Sequence, residues 1–596
     1  MYSERPTFPF PHTRAASAWT LCLLAASLAI VAGARPLATQ ATSAYAESAA
    51  SPPRALPPVE YDALLREAAR LREERDFAGA AAAYTRLAAA HPVDGDLWAA
   101  LGDTRRLSGD CVGALPAYRR ALRLGSWRAA DHVLSGARCF AALGQADSAP
   151  AWIRHGLFQQ RSLWRRGLLR DTTLASLWQN PEFRTLAGAA PGDSLTRDEG
   201  WRHDLDYLMA EIRRVDAVHS LAPLPDSVAA AAERLRRRIP ELTDAGVLVQ
   251  MQRIVAMIGR SHGEVFTHRQ PTRVRFPEPL PITLRDFPEG LYVVEADSGL
   301  AHLVGQRLVS VDGTPVDRVA AAIRPLMMRE GNPEQDLLIE RYVIQPHVLH
   351  ALGVSRAPDR ATFGFVDAAG RRRAENLVST PGHRYGDLPP SRLPGAGPVP
   401  LYMSRPAEPL WLQALPDDSA LYVRIREIRD QPGLSMAQLG RQLARAADST
   451  AATRLIVDIR GNEGGRTQSY AELAGNIIGF RARPGRQVYL LIDRHVFSAA
   501  LNLTLDLERF ADPLIVGERT LGQPKLHGDA VLFQLPWSGA WAMLADRYWQ
   551  LTTPEDDRSW VAPEVPVRLT AADYFANRDP VMDAVRALMR SRPPAP

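Results

Sequence analysis

Residues 454–465 read RLIVDIRGNEGG, and residues 487–500 read QVYLLIDRHVFSAA. In each, a continuous apolar run ends in a polar turn containing glycine or serine. Apolar runs without alternation predict strands buried on both faces. The two strands, Arg454–Ile459 and Gln487–Ile492, flank helical patterning over Gln468–Ile478, so they are expected to pair in parallel through a crossover helix. Ligand sites in open α/β sheets lie beyond the carboxyl ends of the strands, where both turns fall. Glycines after the first strand let the backbone approach a substrate and aim N–H groups at a carbonyl oxygen. Ser498 follows the second strand at the start of a predicted helix, Ser498–Phe510, with a free N–H expected at Ala499. A serine there is either an exposed nucleophile or an N-cap, and these residues alone leave both readings open.

The same alternation extends in both directions. Leu421–Ile425 reads as a strand, Met436–Ala447 as a helix and Leu514–Val516 as a short strand. Val531 to Arg568 is expected to be strand-rich and Asp579–Met589 helical. Upstream, Pro381 to Pro400 is rich in proline and glycine and marks a linker. Before it, Leu291–Glu295, Arg307–Val311 and the Asp312-Gly313 turn resemble part of a PDZ-like domain. Val247, Leu248, Met251, Ile254, Val255 and Ile258 recur at helical spacing, and Gly259 suits a helix C-terminus. From Tyr61 a period of about 34 residues begins. Leu64, Ala68, Ala80, Tyr84 and Pro92 are followed by Trp98, Leu101, Gly102, Ala114, Tyr118 and Ala121, then by a weaker unit with Ala137, Phe140, Gly144 and Ala149. This resembles the tetratricopeptide repeat, whose small residues allow close helix packing and which serves as a binding surface or spacer.

Composition limits the alternatives. The 596 residues are 46% hydrophobic and 23% charged, as in globular chains of several domains. The net charge of +5 comes from interspersed residues, and the basic run Arg234 to Arg238 reads as a solvated helix face, so no nucleic-acid partner is expected. Lys525 is the sole lysine, a bias attributed to Arg- and Ala-rich coding. Arg5, Arg14, the apolar run Ala18–Gly33 and the triplet Ala32-Gly33-Ala34 predict an export signal. Membrane attachment is expected only if that segment stays uncleaved. Cys111 and Cys139 remain after cleavage, and export would permit their pairing. The sequence holds no paired-cysteine metal motif, no His-Glu-x-x-His and no Walker loop, so neither metal nor cofactor is expected.

Asp458-x-Arg460-x-Asn462-x-Gly464-Gly465, Asp493-Arg494 with Ser498 beyond, and Val516-Gly517-Glu518-x-Thr520-x-Gly522 together resemble the tail-specific (C-terminal-processing) serine peptidase family. Pro563-Glu564-Val565 and Arg578-Asp579-Pro580 match its closing segments, with Glu564 where the family usually has Asp. The resemblance implies a crotonase-like α/β core that cleaves polypeptides, with Ser498 as nucleophile and backbone N–H groups of Gly465 and Ala499 as oxyanion hole. The dyad branch of the family uses a lysine where this chain has Gln523, and Lys525 lies two positions further on. The tricorn-like branch uses a serine–histidine pair, which Ser261-His262 matches. His262 would then be the base, favoured as an imidazolium by the preceding helix C-terminus, and Ser261 its helper. The resemblance places the acid at Asp557, with Glu555 and Asp556 as neighbours; His268 fits no motif.

The expected organisation is a multidomain chain: signal peptide (1–34), linker (35–57), all-α tetratricopeptide-like repeats (58–190), the helical N-terminal part of the peptidase region (195–275), a PDZ-like β-rich insert (276–380), the Pro/Gly-rich linker (381–400) and an α/β catalytic core (401–590). The expected activity is that of an exported serine endopeptidase, periplasmic or secreted, with a polypeptide substrate and a protein partner on the repeats. The alternative is a non-hydrolytic binding protein on the same fold.

Overall fold

The computed structural model describes residues 56–126, 129–159, 165–189, 195–328, 330, 339–380 and 397–591. The predicted export signal and most of both linkers lie outside them. Among the described residues no helix is long and apolar enough to cross a membrane.

The N-terminal part is helical. Helices Pro58–Glu73, Phe77–Ala90, Gly95–Leu107, Cys111–Arg123, Ala129–Ala142 and Ala149–Gln159 follow one another, each packed on the next. Asp76, Asp94 and Asp110 stand before helix starts and accept hydrogen bonds from first-turn N–H groups, which sets the register of the turns. Gly102 packs on the ring of Tyr118 so closely that an added Cβ would sit 2.8 Å from it. Cys111 and Cys139 are buried free thiols in one apolar cluster.

A second helical group follows: Arg197–Val215, opened by a Thr196/Glu199 capping box, then Asp226–Arg238 and Asp244–Met257. In the basic run, Arg236 pairs with Asp206 and Arg237 with Glu233, so it is the solvated helix face expected.

Among the described residues the strands form three sheets. In chain order they are β1 (Glu264–Val265), β2 (Ile282–Phe287), β3 (Gly290–Ala296), β4 (Arg307–Val311), β5 (Thr314–Pro315), β6 (Arg360–Val366), β7 (Arg372–Val378), β8 (Leu410–Leu415), β9 (Ala420–Ile425), β10 (Arg454–Asp458), β11 (Gln487–Ile492), β12 (Leu514–Gly517), β13 (Lys525–Gln534), β14 (Trp541–Gln550) and β15 (Val565–Pro566). The central sheet runs β15-β12-β11-β10-β9-β8, parallel throughout except for the antiparallel edge strand β8. Helices Met436–Ser449, Ala471–Arg481 and Ala499–Ala511 connect successive parallel strands and bury one face. The C-terminal helix Pro580–Ser591 covers the other through Val581, Met582 and Val585. Burial on both faces explains why these strands lack alternation.

A second sheet, β2-β3-β4-β6-β7, is antiparallel, with β5 on β4 and the helix Val316–Ile323 packed in its core. The third, β1-β14-β13, packs on the helices Arg197–Val215 and Asp244–Met257. The strand-rich region lies earlier than Val531–Arg568: the hairpin β13–β14 ends at Gln550, and beyond it only the short β15 forms. Residues 551–564 carry prolines and charges that cannot continue a ladder.

Candidate active site

The polar turn after β10 is built on a buried charge cluster. Asp458 is fully buried and takes hydrogen bonds from Tyr422 Oη (2.6 Å) and from the guanidinium of Arg460. Arg460 also forks onto Asp579 at 2.8 and 2.9 Å, tying the turn to the C-terminal helix. Burial alone would raise the Asp458 pKa, but Arg460 and Arg424 outweigh it and hold the carboxyl at about 2. Asn462 then donates to the Ile425 carbonyl and accepts from Gly464 N–H, both at 2.9 Å.

The two following glycines are dictated by close approach. Gly464 has φ +113°, and an added Cβ would lie 2.7 Å from Ser498 Cβ; Gly465 has φ +142°, and its Cβ would strike the Ile428 carbonyl oxygen at 2.1 Å. Ile428 and Arg466 pair across this point, and among the described residues Gly465 N–H has no hydrogen-bond acceptor.

Ser498 is presented by the turn after β11. Asp493 accepts from Gly461 N–H (2.9 Å) and His495 N–H (3.0 Å), locking the two turns together. Ser498 itself has φ +51° and ψ −127° and makes no side-chain cap, although the helix begins at Ala499. A non-glycine residue in that region is strained. The N-cap reading of Ser498 therefore does not describe it. Ala499 N–H, at the helix start, also has no acceptor among the described residues.

His262 reaches this serine from the segment between helix Asp244–Met257 and β1. Its Nε2 lies 3.1 Å from Ser498 Oγ, and its Nδ1 lies 2.9 Å from the His527 carbonyl oxygen. A carbonyl only accepts, so Nδ1 carries the proton and Nε2 offers its lone pair to the serine. The ring stacks on Phe497 with centroids 4.8 Å apart. Burial pulls the His262 pKa below the ordinary histidine value, against the opposing effects of the His527 carbonyl, Glu330 and Asp529. The expected imidazolium-favouring helix end is thus outweighed by desolvation, and the resting ring is neutral.

Ser261 and His527 converge on Glu330, which the sequence reading missed. Glu330 accepts from Ser261 Oγ (2.5 Å) and Ser261 N–H (3.2 Å), and from His527 N–H at 2.9 Å; its carboxylate also meets the His527 ring. Ser261 Oγ is in addition 2.7 Å from the His527 carbonyl oxygen. Burial would raise the Glu330 pKa, but the donors on His527 and Ser261 keep it below the usual range. Glu330 thus reaches His262 through the peptide group of His527. No local motif marks Glu330: it lies between the helix Val316–Ile323 and β6, is remote in sequence from His262, and only the tertiary fold joins them.

The residues expected to supply the acid are elsewhere. Asp557 is 88% exposed in its side chain and pairs with Lys525 Nζ at 2.6 Å. Asp556 pairs with Arg558, and Glu555 is exposed. The Pro- and charge-rich segment carrying them extends into solvent rather than turning toward His262. Lys525 is spent on Asp557 and the Pro554 carbonyl. His268 lines the pocket beside the site, with burial lowering its pKa to about 4.

That pocket, of about 310 Å³, opens on Ser498 and His262 between Phe266, Met328, Leu521 and Met543, with Arg341 and Glu463 paired at its edge. Among the described residues no group of acidic, histidine or cysteine side chains is arranged to hold a metal.

No protein-family model matches the chain, and no curated protein does so significantly. Among solved structures it is similar to mature CPAF complexed with lactacystin (14% identity, 66% of this chain and 98% of that one, TM-score 0.47). It is also similar to the photosystem II D1 C-terminal processing protease (15% identity, 65% and 99%, TM-score 0.32). A third is the tricorn protease (13% identity, 66% and 37%, TM-score 0.31).

Proposed function

We propose that the chain is a serine peptidase of the tail-specific, tricorn-like kind, with Ser498 as nucleophile and His262 as general base. The observation that carries this reading is the contact of His262 Nε2 with Ser498 Oγ at 3.1 Å, with Nδ1 committed to the His527 carbonyl. A neutral imidazole in that tautomer accepts the serine proton as Oγ adds to a peptide carbonyl. The tetrahedral oxyanion is received by the free N–H groups of Gly465 and Ala499, the latter at a helix N-terminus. The imidazolium is stabilised by the His527 carbonyl and, behind it, by ionised Glu330. Its Nε2 proton then passes to the leaving amine as the C–N bond breaks, and water, deprotonated by His262, releases the acid product and free serine.

The pocket beside Ser498 has an apolar wall, which fits a polypeptide with an apolar residue at the cleavage point. The helical array at 58–190 serves in this reading as tetratricopeptide-like repeats that hold a protein partner. The antiparallel sheet is the PDZ-like insert, the parallel sheet is the crotonase-like core, and the chain acts outside the cytoplasm after export.

The test is labelling with a serine-reactive fluorophosphonate, followed by mass mapping of the adduct. A single adduct on Ser498, absent in Ser498→Ala and suppressed in His262→Ala, is expected. A folded wild type that takes no label and cleaves no unstructured polypeptide would leave the non-hydrolytic binding reading in place.

A further inference from the structure

A second cavity, of about 330 Å³, lies behind the catalytic turns, where the central sheet, the antiparallel sheet and the C-terminal segment meet. It is separate from the Ser498 pocket, and its far wall is the Asp493 carboxylate that joins the two catalytic turns. Its hydrogen-bonding capacity is unbalanced. On the acceptor side, Asp493 holds Gly461 and His495 N–H, Glu518 faces Arg494 Nε at 3.4 Å, and Glu295 is hydrogen-bonded by Thr283. Two arginines are also committed: Arg460 to Asp458 and Asp579, and Arg424 to Asp458 and the Tyr402 carbonyl.

Three donors are left. The Tyr402 hydroxyl is buried and has no hydrogen-bond partner among the described residues. Arg285, on β2, comes no nearer to a carboxylate than 4.0 Å from Asp493, its guanidinium lying over the rings of Phe287 and Tyr574. Arg426, just past β9 at the cavity mouth, has no ion pair or side-chain hydrogen bond among the described residues, and its neighbour Arg424 repels it. A buried hydroxyl without an acceptor, as at Tyr402, is costly, and the forks of the partly exposed Arg285 and exposed Arg426 suit a carboxylate in shape and charge. The rest of the wall is apolar and aromatic, including Tyr574, Phe575 and Met403. Unused donors at one end and an aromatic wall at the other are complementary to an acid with an apolar body.

We infer that this cavity binds a monocarboxylate carrying an aromatic or large apolar group, its carboxylate taken by Tyr402, Arg285 and Arg426. Two sources share that chemistry: the free C-terminus of a peptide, and a small organic acid. The inference concerns binding alone and stands whether or not Ser498 is a nucleophile.

The test is calorimetric titration of the full Ser498→Ala chain with N-acetyl-phenylalanine, N-acetyl-phenylalanine amide and 3-phenylpropanoate. At least one acid should bind, and the amide should bind about tenfold more weakly than N-acetyl-phenylalanine or not at all, since it lacks the charge. Tyr402→Phe deletes one hydroxyl and Arg426→Gln one exposed charge. Each should weaken acid binding about tenfold while leaving the thermal melt in place. Preference for N-acetyl-phenylalanine would assign the site to peptide ends, and equal or better binding of 3-phenylpropanoate to free acids. Absence of binding by either acid, equal binding of acid and amide, or affinity indifferent to both substitutions in folded protein would overturn the inference.

Discussion

Glu330→Gln isolates the acid of the proposed catalytic group. The glutamate accepts from Ser261 O–H and N–H and from His527 N–H, and its charge supports a proton on His262 through the His527 peptide. Glutamine keeps the shape but removes the charge and turns an N–H₂ toward groups that are themselves donors. A hydrogen bond to a charged group contributes about 1.5–3 kcal/mol. If that support is felt mainly when His262 becomes an imidazolium, kcat should fall about 10- to 100-fold with KM little changed. The lost acceptor should also cost about 1–3 kcal/mol of stability. A purely structural role would stop there; the pH profile separates the two. Burial already sets the His262 pKa below about 6.5, so the acid limb of kcat/KM in the wild type should lie below that value. Glu330 opposes this lowering, so its neutralisation should move the limb to still lower pH. The assay is steady-state cleavage of an unstructured polypeptide from pH 4 to 9, the range being about that in which histidine titrates. Glu330→Asp should recover part of kcat. Unchanged kcat, or a limb displaced upward, in a folded Glu330→Gln chain would refute the reasoning.

Gly464→Ala should lower kcat about 100-fold, because the new Cβ would press on Ser498 Cβ at 2.7 Å in a backbone held at φ +113°; kinetics beside a melting curve would check it. Asp458→Asn should cost about 3–5 kcal/mol by leaving Arg460 and Arg424 beside a neutral group, as read from denaturant unfolding. In the wild type, Asp458 is held at about 2, so its contribution is complete above its unfolded value of about 3.9 and is lost as pH falls from there toward about 2. Acid titration of unfolding would therefore steepen over that window, and Asp458→Asn would remove this component. Asp557→Ala and Lys525→Ala should each leave cleavage within about twofold and the thermal melt in place, since their ion pair ends on a solvent-exposed Asp557.

What the sequence made readable follows from where each constraint is local. The strands β10 and β11 announce themselves because both faces are buried, so apolar residues run without a break. The glycine pair 464–465 is legible because backbone geometry requires it within a few residues of a strand end, whereas Ser498 is told from an N-cap in sequence only through the resemblance carried by the surrounding motifs. His262 was reached through the Ser261-His262 pair, and the structure sets it against Ser498 across 236 residues of chain. Asp557, the expected acid, lies away from His262 for the opposite reason. Glu330 comes to this group only by packing against Ser261 and His527, contacts 69 and 197 residues apart in the chain, and nothing around it in sequence marks a buried carboxylate. Asp557 sits in an acidic segment whose charges are satisfied by Lys525 and solvent. The helix end before His262 is visible in the sequence, while the enclosure beside Phe497 that lowers its pKa is not.

Comparison of Ser498→Ala, His262→Ala and the double variant in polypeptide cleavage tests the central claim most directly. Groups that act as one unit are non-additive, so each single variant should lose nearly all the activity that the double variant loses, with thermal melts close to the wild type. Full cleavage by a folded Ser498→Ala chain, or losses in the two single variants that simply multiply in the double, would contradict it.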